Sequence, residues 1–512
     1  MLKNVLVSLN IVAAFKQLGS TREKKTVLKC LAYNQLLVQL STIPIALAIP
    51  SVAKYFQTSI LMASWTVLIR LLILGSMVYF CAKLGEKFGY AKIFILGALL
   101  ITVSSLFASI SPNIWVLILT NGFIGLGAAM ITANANPILT LTFDATERGK
   151  AFSIPIIAAR CGTLLGMALF GVFLQYFNWR LVFLTSFPIG LFCLWNIRGL
   201  IKFEYLKADK LKNHVIDYVS ASLFMATIIA FTLSLNSTAL FQNSTSGISS
   251  IFIEDLKSIN FQIPIIISCA GLAICFIIYQ SKSAYPFFRF NYFKEKPGFS
   301  MAVYSDHVFH LSMFAIVVLV PILVQEGLGY GPLIASWVLL PGQSLGIFLP
   351  ILSGYIFDKN DPPWLRPGCL MLIAIGIGSL AAFSNYVPLW GIGGLLMVAF
   401  AGTHLFNAPS NANIMNNLPE DQAFASGLME TTRQMGHLEG GLVSATVLAL
   451  VIPVSIIGFT QDQAQEVYRN GFATAAFIVI FTMLSGAVVA GIQSGLFKPI
   501  MNIRLRKPAK SN

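Results

Sequence analysis

Charge is what this chain has least of: Asp, Glu, Lys and Arg make up 11% of its 512 residues, where a soluble domain carries about 25%. A surface facing water cannot be made from so little charge, so a water-soluble globular protein is excluded. Acid is scarcer than base, with 20 Asp and Glu against 34 Lys and Arg, for a net charge of +14. In a soluble protein that excess would suggest a polyanion, but basic loops on the cytoplasmic side of a membrane account for it, and nucleic acid is not an expected partner. Cysteine is sparse too. Cys30, Cys81, Cys161, Cys193, Cys269, Cys275 and Cys369 fall in or beside apolar stretches with no CxxC spacing, so they read as small hydrophobes, without a disulfide framework or a metal site. The phosphate-binding loop Gly-x-x-x-x-Gly-Lys-Ser/Thr, HExxH and the GxSxG elbow are all missing, which leaves no sign of an ATPase, a metalloprotease or a serine hydrolase. No enzyme activity, cofactor or metal is expected. Energy has to come from an ion gradient or from the substrate's own gradient.

What the chain has instead is hydrocarbon, with 56% hydrophobic residues and a mean hydropathy of +0.77. Fourteen apolar stretches lie at roughly 27–49, 59–80, 91–110, 114–141, 151–175, 179–197, 216–236, 261–280, 300–323, 332–356, 368–385, 388–411, 424–455 and 471–495. About 20 such residues cross roughly 30 Å of bilayer as a helix, so a multi-pass, all-α integral membrane protein is predicted. The basic runs Lys16 to Lys29, Arg198 to Lys212, Lys282 to Lys296 and Arg504 to Lys510 share one side, while only Lys54, Lys257 and Arg469 fall in outer connections. That bias places both termini in the cytoplasm. The apolar stretch Val5 to Phe15 is too short to span and lacks a signal peptide's order of basic and apolar parts, so it reads as an interfacial helix.

Charges inside apolar spans are costly, about 2.5 to 3.5 kcal/mol each near the bilayer centre, and mark candidate sites. They are Arg70, Arg160, Asp306, Glu430, Arg433 and Glu439. Glu430 and Arg433 are i,i+3 neighbours, while Arg433 with His437 and Asp306 with His310 are i,i+4 neighbours, so each set shares a helix face. Asp306, Glu430 or Glu439 would carry the proton, with His310 and His437 able to titrate near neutral pH. The alternative for Glu430 and Arg433 is a structural ion pair near a helix end. Arg70, Arg160 and Arg433 would tune these carboxylates or hold an anion by bidentate hydrogen bonds. Asn134 and Asn136, just before Pro137, are candidates to line a path. Gly436, Gly440 and Gly441 leave space around Glu439.

Between the second and third spans the sequence reads Ala82-Lys83-Leu84-Gly85-Glu86-Lys87-Phe88-Gly89-Tyr90, and a weaker copy, Gly354-Tyr355-Ile356-Phe357-Asp358-Lys359, follows the tenth. Asp144 to Ala151, Trp179-Arg180 with Pro188 and Gly190, and Ala425-Ser426-Gly427 with Arg433-Gln434 and Gly436 follow in order. Together these motifs resemble the major facilitator superfamily, and within it the 14-span drug:proton antiporters. The resemblance implies a major facilitator fold of fourteen transmembrane helices. Two pseudo-symmetric six-helix bundles would occupy 27–198 and 300–497. A basic linker with two inserted helices would occupy 199–299, with a cytoplasmic segment at 1–26 and a basic tail at 498–512. It implies Gly85, Glu86, Lys87, Gly89 and Asp358 as the cytoplasmic gating motif. The Asp, Arg and Gly-Pro with Gly-Gly that the family places in spans 1, 4 and 5 correspond here to Ser41, Asn121, Met167 and Phe170, with Gly166 and Gly171 kept. The function implied is proton-coupled export of amphipathic or lipophilic compounds from the cell (inner) membrane. The alternative is transport of an endogenous anionic solute, lipid or glycoconjugate. The expected partners are a small-molecule substrate, protons and the lipid bilayer, with a periplasmic adaptor as an optional one and the protein itself a monomer.

Overall fold

The computed structural model describes residues 21–42, 44–143, 145–206, 217–241, 259–283, 289–383, 386, 388–452 and 459–497. The apolar N-terminal stretch Val5 to Phe15, Asp144 and the tail from 498 onward lie outside these, as do the side chains of 145–150, Asp358 and Lys359. Helices in chain order are α1 (Arg22–Leu40), α2 (Ile49–Tyr55), α3 (Ile60–Phe88), α4 (Tyr90–Ser109), α5 (Ile114–Thr142), α6 (Ala145–Tyr176), α7 (Arg180–Leu184), α8 (Ser186–Ile197), α9 (Tyr218–Phe241), α10 (Ile259–Lys282), α11 (Asn291–Glu295), α12 (Pro297–Ile322), α13 (Pro332–Ser344), α14 (Leu349–Asn360), α15 (Leu365–Phe383), α16 (Leu389–Asn417), α17 (Gln422–Val451) and α18 (Gln461–Ser494). No strand occurs among the described residues. In hydrocarbon each backbone N–H and C=O has to be satisfied within its own segment, which helices do.

Local chemistry sets the helix ends. Asn113 caps α5 by accepting from the Val116 N–H at 2.9 Å. Thr460 and Gln463 close a capping box at the start of α18, and Gly495 stops that helix at φ 76°. Twelve helical segments among the described residues are long and apolar enough to cross a membrane. The count of fourteen is therefore not reached by that measure. The expected seventh span falls on α9, whose described apolar part, Tyr218–Ser234, is short. The thirteenth is α17, made less apolar by Glu430, Arg433, Gln434, His437 and Glu439.

The chain divides into two compact units, residues 1–58 with 62–228, and 59–61 with 229–512. Within the first, α4 packs along α5 and α1 along α6. Within the second, α15 packs along α16 and α12 along α17. Glycines make each of these contacts close. A methyl on Gly127 would stand 2.6 Å from the Gly97 carbonyl oxygen, and one on Gly402 would stand 2.6 Å from that of Cys369. Such approaches join backbones where no hydrophobic force acts between helices already in lipid.

Candidate functional site

Of the charges marked in apolar spans, those of the second unit, Asp306, Glu430, Arg433 and Glu439, all lie on α12 and α17, which pack along one another in one seam. Gly436 and Gly440, one helical turn apart, let α17 lie directly on the backbone of α12. A methyl at Gly436 would stand 2.8 Å from the His307 carbonyl oxygen, and one at Gly440 would collide with the Leu311 carbonyl. At about 100° per residue, His437 and Glu439 flank this glycine line on opposite sides, each about 80° from it. The seam therefore presents two chemically distinct clusters.

One cluster is sealed. Asp306 is 0% exposed, with His310 at 2% and His437 at 8%. Ser410 of α16 donates to Asp306 Oδ1 at 2.8 Å, the other carboxylate oxygen lies 3.8 Å from His310 Nε2, and His310 Nδ1 lies 3.2 Å from His437 Nε2. Phe309 and Phe314 pack edge-on and tilted against the two imidazoles. The other cluster is half-open. His307 Nε2 and Glu439 Oε2 are 2.9 Å apart, each side chain 26% exposed, and the His307 Nδ1 position is fixed at 3.2 Å from the Thr432 carbonyl. With Nδ1–H donating to that carbonyl, Nε2 of a neutral His307 accepts a proton from a protonated Glu439, and an imidazolium donates to an ionised one.

Glu430 is bonded within its own helix. It receives Arg433 Nη1 at 2.9 Å and Gln434 Nε2 at 2.7 Å, all within one stretch of α17, half-buried or better.

In the first unit, Arg70 is fully buried on α3. Its Nη2 donates to Asn121 Oδ1 on α5, whose own Nδ2 donates to the Leu117 carbonyl at 2.7 Å. Its Nε and Nη1 have no partner among the described residues. The buried cation of α3 therefore meets α5 at Asn121. Arg160 is half-buried on α6. Asn134 lies between α5 and α3. It is buried, with Nδ2 donating to the Met130 and Cys81 carbonyls at 2.7 and 3.3 Å, and it fills the space left by Gly85, so it ties α5 to α3. Asn136 is exposed.

In the motif after the second span, Glu86 binds Lys83 at 2.9 Å, and the Lys87 ammonium sits over the Phe88 and Tyr218 rings. Gly89 turns the chain at φ 100°, a left-handed conformation that favours glycine. Arg180 stacks on Tyr55 and Trp179 and donates to the Ser111 carbonyl at 3.2 Å.

Four residues went unmarked in the sequence. Ser410 completes the sealed cluster, and the carboxamides of Gln493 and Asn413 join Arg366 across α18, α16 and α15 at 2.7 and 3.0 Å. Their signal was polarity in an apolar helix, as in the stretch Asn407 to Asn413 with Pro409. The pairing of His307 with Glu439 had no local signal at all.

Residues 31–441 match the model of the Major Facilitator Superfamily, and with the paired helix packing of both units the chain belongs to that family of membrane transporters. It is similar to the riboflavin transporter RibZ of Clostridioides difficile, at 22% identity over 77% of this chain and 81% of that protein. It is also similar to the multidrug efflux pump LfrA of Mycolicibacterium smegmatis, at 22% identity over 91% and 95%. The fold is shared with a crystal structure of a bacterial homologue of the human lysosomal transporter Spinster, at TM-score 0.62 and 14% identity over 94% of this chain and 99% of that one. The chain is an integral, multi-pass membrane transporter with relatives among multidrug efflux pumps.

Proposed function

We propose that the chain exports amphipathic or lipophilic compounds across the cell (inner) membrane in exchange for protons, with both termini in the cytoplasm. The observation that carries this reading is the α12–α17 seam, where Asp306, His310, His437, His307 and Glu439 meet within one helix interface. Groups so placed change charge by gaining or losing a proton, and in hydrocarbon a change of charge alters which helix arrangement is favoured. The relatives named as multidrug efflux pumps support the substrate class. The test is accumulation of ethidium and of riboflavin by an efflux-deficient host expressing the chain, with and without an uncoupler. Reduced accumulation that the uncoupler restores, and that Glu439→Gln abolishes, is the expected result. Export that survives the uncoupler would contradict it.

A second reading keeps the fold and moves an endogenous anion by symport or facilitated diffusion. Arg70 favours it, because a fully buried guanidinium with two unpartnered nitrogens and no carboxylate in contact among the described residues suits an anionic ligand. Inhibition of transport by anionic amphiphiles and not by cationic dyes, lost in Arg70→Gln, distinguishes it.

A further inference from the structure

The α12–α17 seam has a counterpart in the first unit, and the pair separates packing from chemistry. Gly162 and Gly166 of α6 have the same four-residue spacing as Gly436 and Gly440. A methyl at Gly162 would stand 2.5 Å from the Leu36 carbonyl oxygen of α1, and one at Gly166 would stand 3.4 Å from that of Leu40. Superposing the glycines sets Leu165 in the place of Glu439, Thr163 in that of His437 and Leu36 in that of His307. Exposure follows the same pattern, since Leu165 is exposed and Thr163 buried. The first seam closes with no ionisable group at these three places, so the packing of the second does not need His307, His437 or Glu439. They bear the cost of polar groups in hydrocarbon for another reason.

We propose that this seam carries two protonation sites in series: His307 with Glu439 is a port that exchanges protons with water, and the sealed Asp306–His310–His437 chain is a store filled through it. The proposal rests on the proton-coupled reading above and deepens it. The port is 26% exposed at both side chains, whereas no member of the store exceeds 8%, so a molecule the size of water can touch one and not the other. A sealed chain of one carboxyl and two imidazoles is neutral only when it holds one proton, either on Asp306 with both rings neutral or on a ring with Asp306 ionised. Any other loading leaves the chain itself with a net buried charge. The store is thus a one-proton device. Ser410 keeps its hydrogen bond to Oδ1 in both neutral states, because the proton resides on the other oxygen, the one nearest His310. In the filling step an N–H or O–H bond breaks at the port and one forms at the store, after which water returns a proton to the port. His307 and Asp306 are adjacent in the chain, so the transfer crosses the glycine line where α17 lies on α12. The other groups facing the seam are the Glu430–Arg433 pair on α17, the Ser410 hydroxyl of α16 and the Thr482 and Ser485 hydroxyls of α18, which meet Ser312 and Tyr304 of α12.

The test reads the store directly and needs no transported compound. Full-length protein in lipid nanodiscs at pH 5 is switched to D2O, and the protonated carboxyl band that disappears in Asp306→Asn is followed by infrared spectroscopy. Its O–H to O–D exchange is expected to slow at least tenfold in Glu439→Gln and in His307→Gln, at an unchanged thermal unfolding midpoint. Should Glu439→Gln fail to fold, His307→Gln carries the same expectation. Absence, between pH 5 and 8, of both an Asp306-dependent protonated carboxyl band and an imidazolium band lost in His310→Gln would overturn the store, and an unchanged exchange rate in both variants would overturn the port. Because no transport enters this readout, its failure is distinct from a failure of uncoupler-sensitive export.

Discussion

Asp306 shows how much of a membrane residue's role depends on neighbours that sequence does not reveal. Its i,i+4 relation to His310, like the i,i+3 relation of Glu430 to Arg433, was legible in the sequence because helix periodicity fixes which side chains share a face. The partners that complete each cluster come from other helices. Ser410 lies 104 residues away and Glu439 lies 132 residues from His307, and spacing within one segment says nothing about them. Asp306→Asn keeps the size and the Ser410 contact while removing the ionisable group, so proton-driven export is expected to fall at least tenfold with the protein still folded. Glu430→Gln changes a part-exposed pair local to α17, and export is expected to change less than threefold. Both are checked by initial rates of ethidium efflux. Arg70 is a further case: the sequence marks a cation in an apolar span, and only the fold shows Asn121 of α5 as its partner.

Among the helices, α17 departs furthest from an ordinary membrane span. Its charges keep it out of the most apolar set, and its Gly436–Gly440 line holds it against α12 more closely than side chains would allow. Space around Glu439 was readable from those glycines, but not which helix would occupy it. Gly440→Ala should force the two backbones apart and cost about 1–3 kcal/mol, as overpacking does. Gly394→Ala on α16, where a methyl meets nothing within 4 Å, should lie within about 0.5 kcal/mol of the parent. Thermal unfolding in detergent compares them. The start of α17 is clasped to the ends of α11. Arg289 meets Asp421 at 2.8 Å, Lys296 binds Glu420, and Phe293, Phe299 and Phe424 pack beside them. The hydrogen bond from Lys296 holds the Glu420 carboxyl below the usual carboxylate range. Its contribution is therefore complete above the unfolded value of about 4.3 and fades only as pH falls through the lower folded one. Replacing Glu420 by Gln should leave the pH profile of export between 5 and 8 unchanged, so changes in that window belong to the seam.

For the molecule as a whole, the repeat is the organising fact. Matching motifs after the second and tenth spans pointed to it, and the packing of α1 with α6 and of α12 with α17 repeats one glycine-lined seam in each unit. The all-helical membrane fold was legible because hydropathy is a property of whole segments. The site was legible only in part, because chemistry was added to one copy of the seam and not to the other. That asymmetry is the basis for reading the second unit as the one that handles protons. The most direct test is lumenal pH in proteoliposomes containing the wild-type chain or Glu439→Gln, followed after ethidium is added to one side. The account predicts proton movement opposite to the dye in the wild type, and none in the variant. Dye movement with no accompanying pH change in the wild type would contradict it.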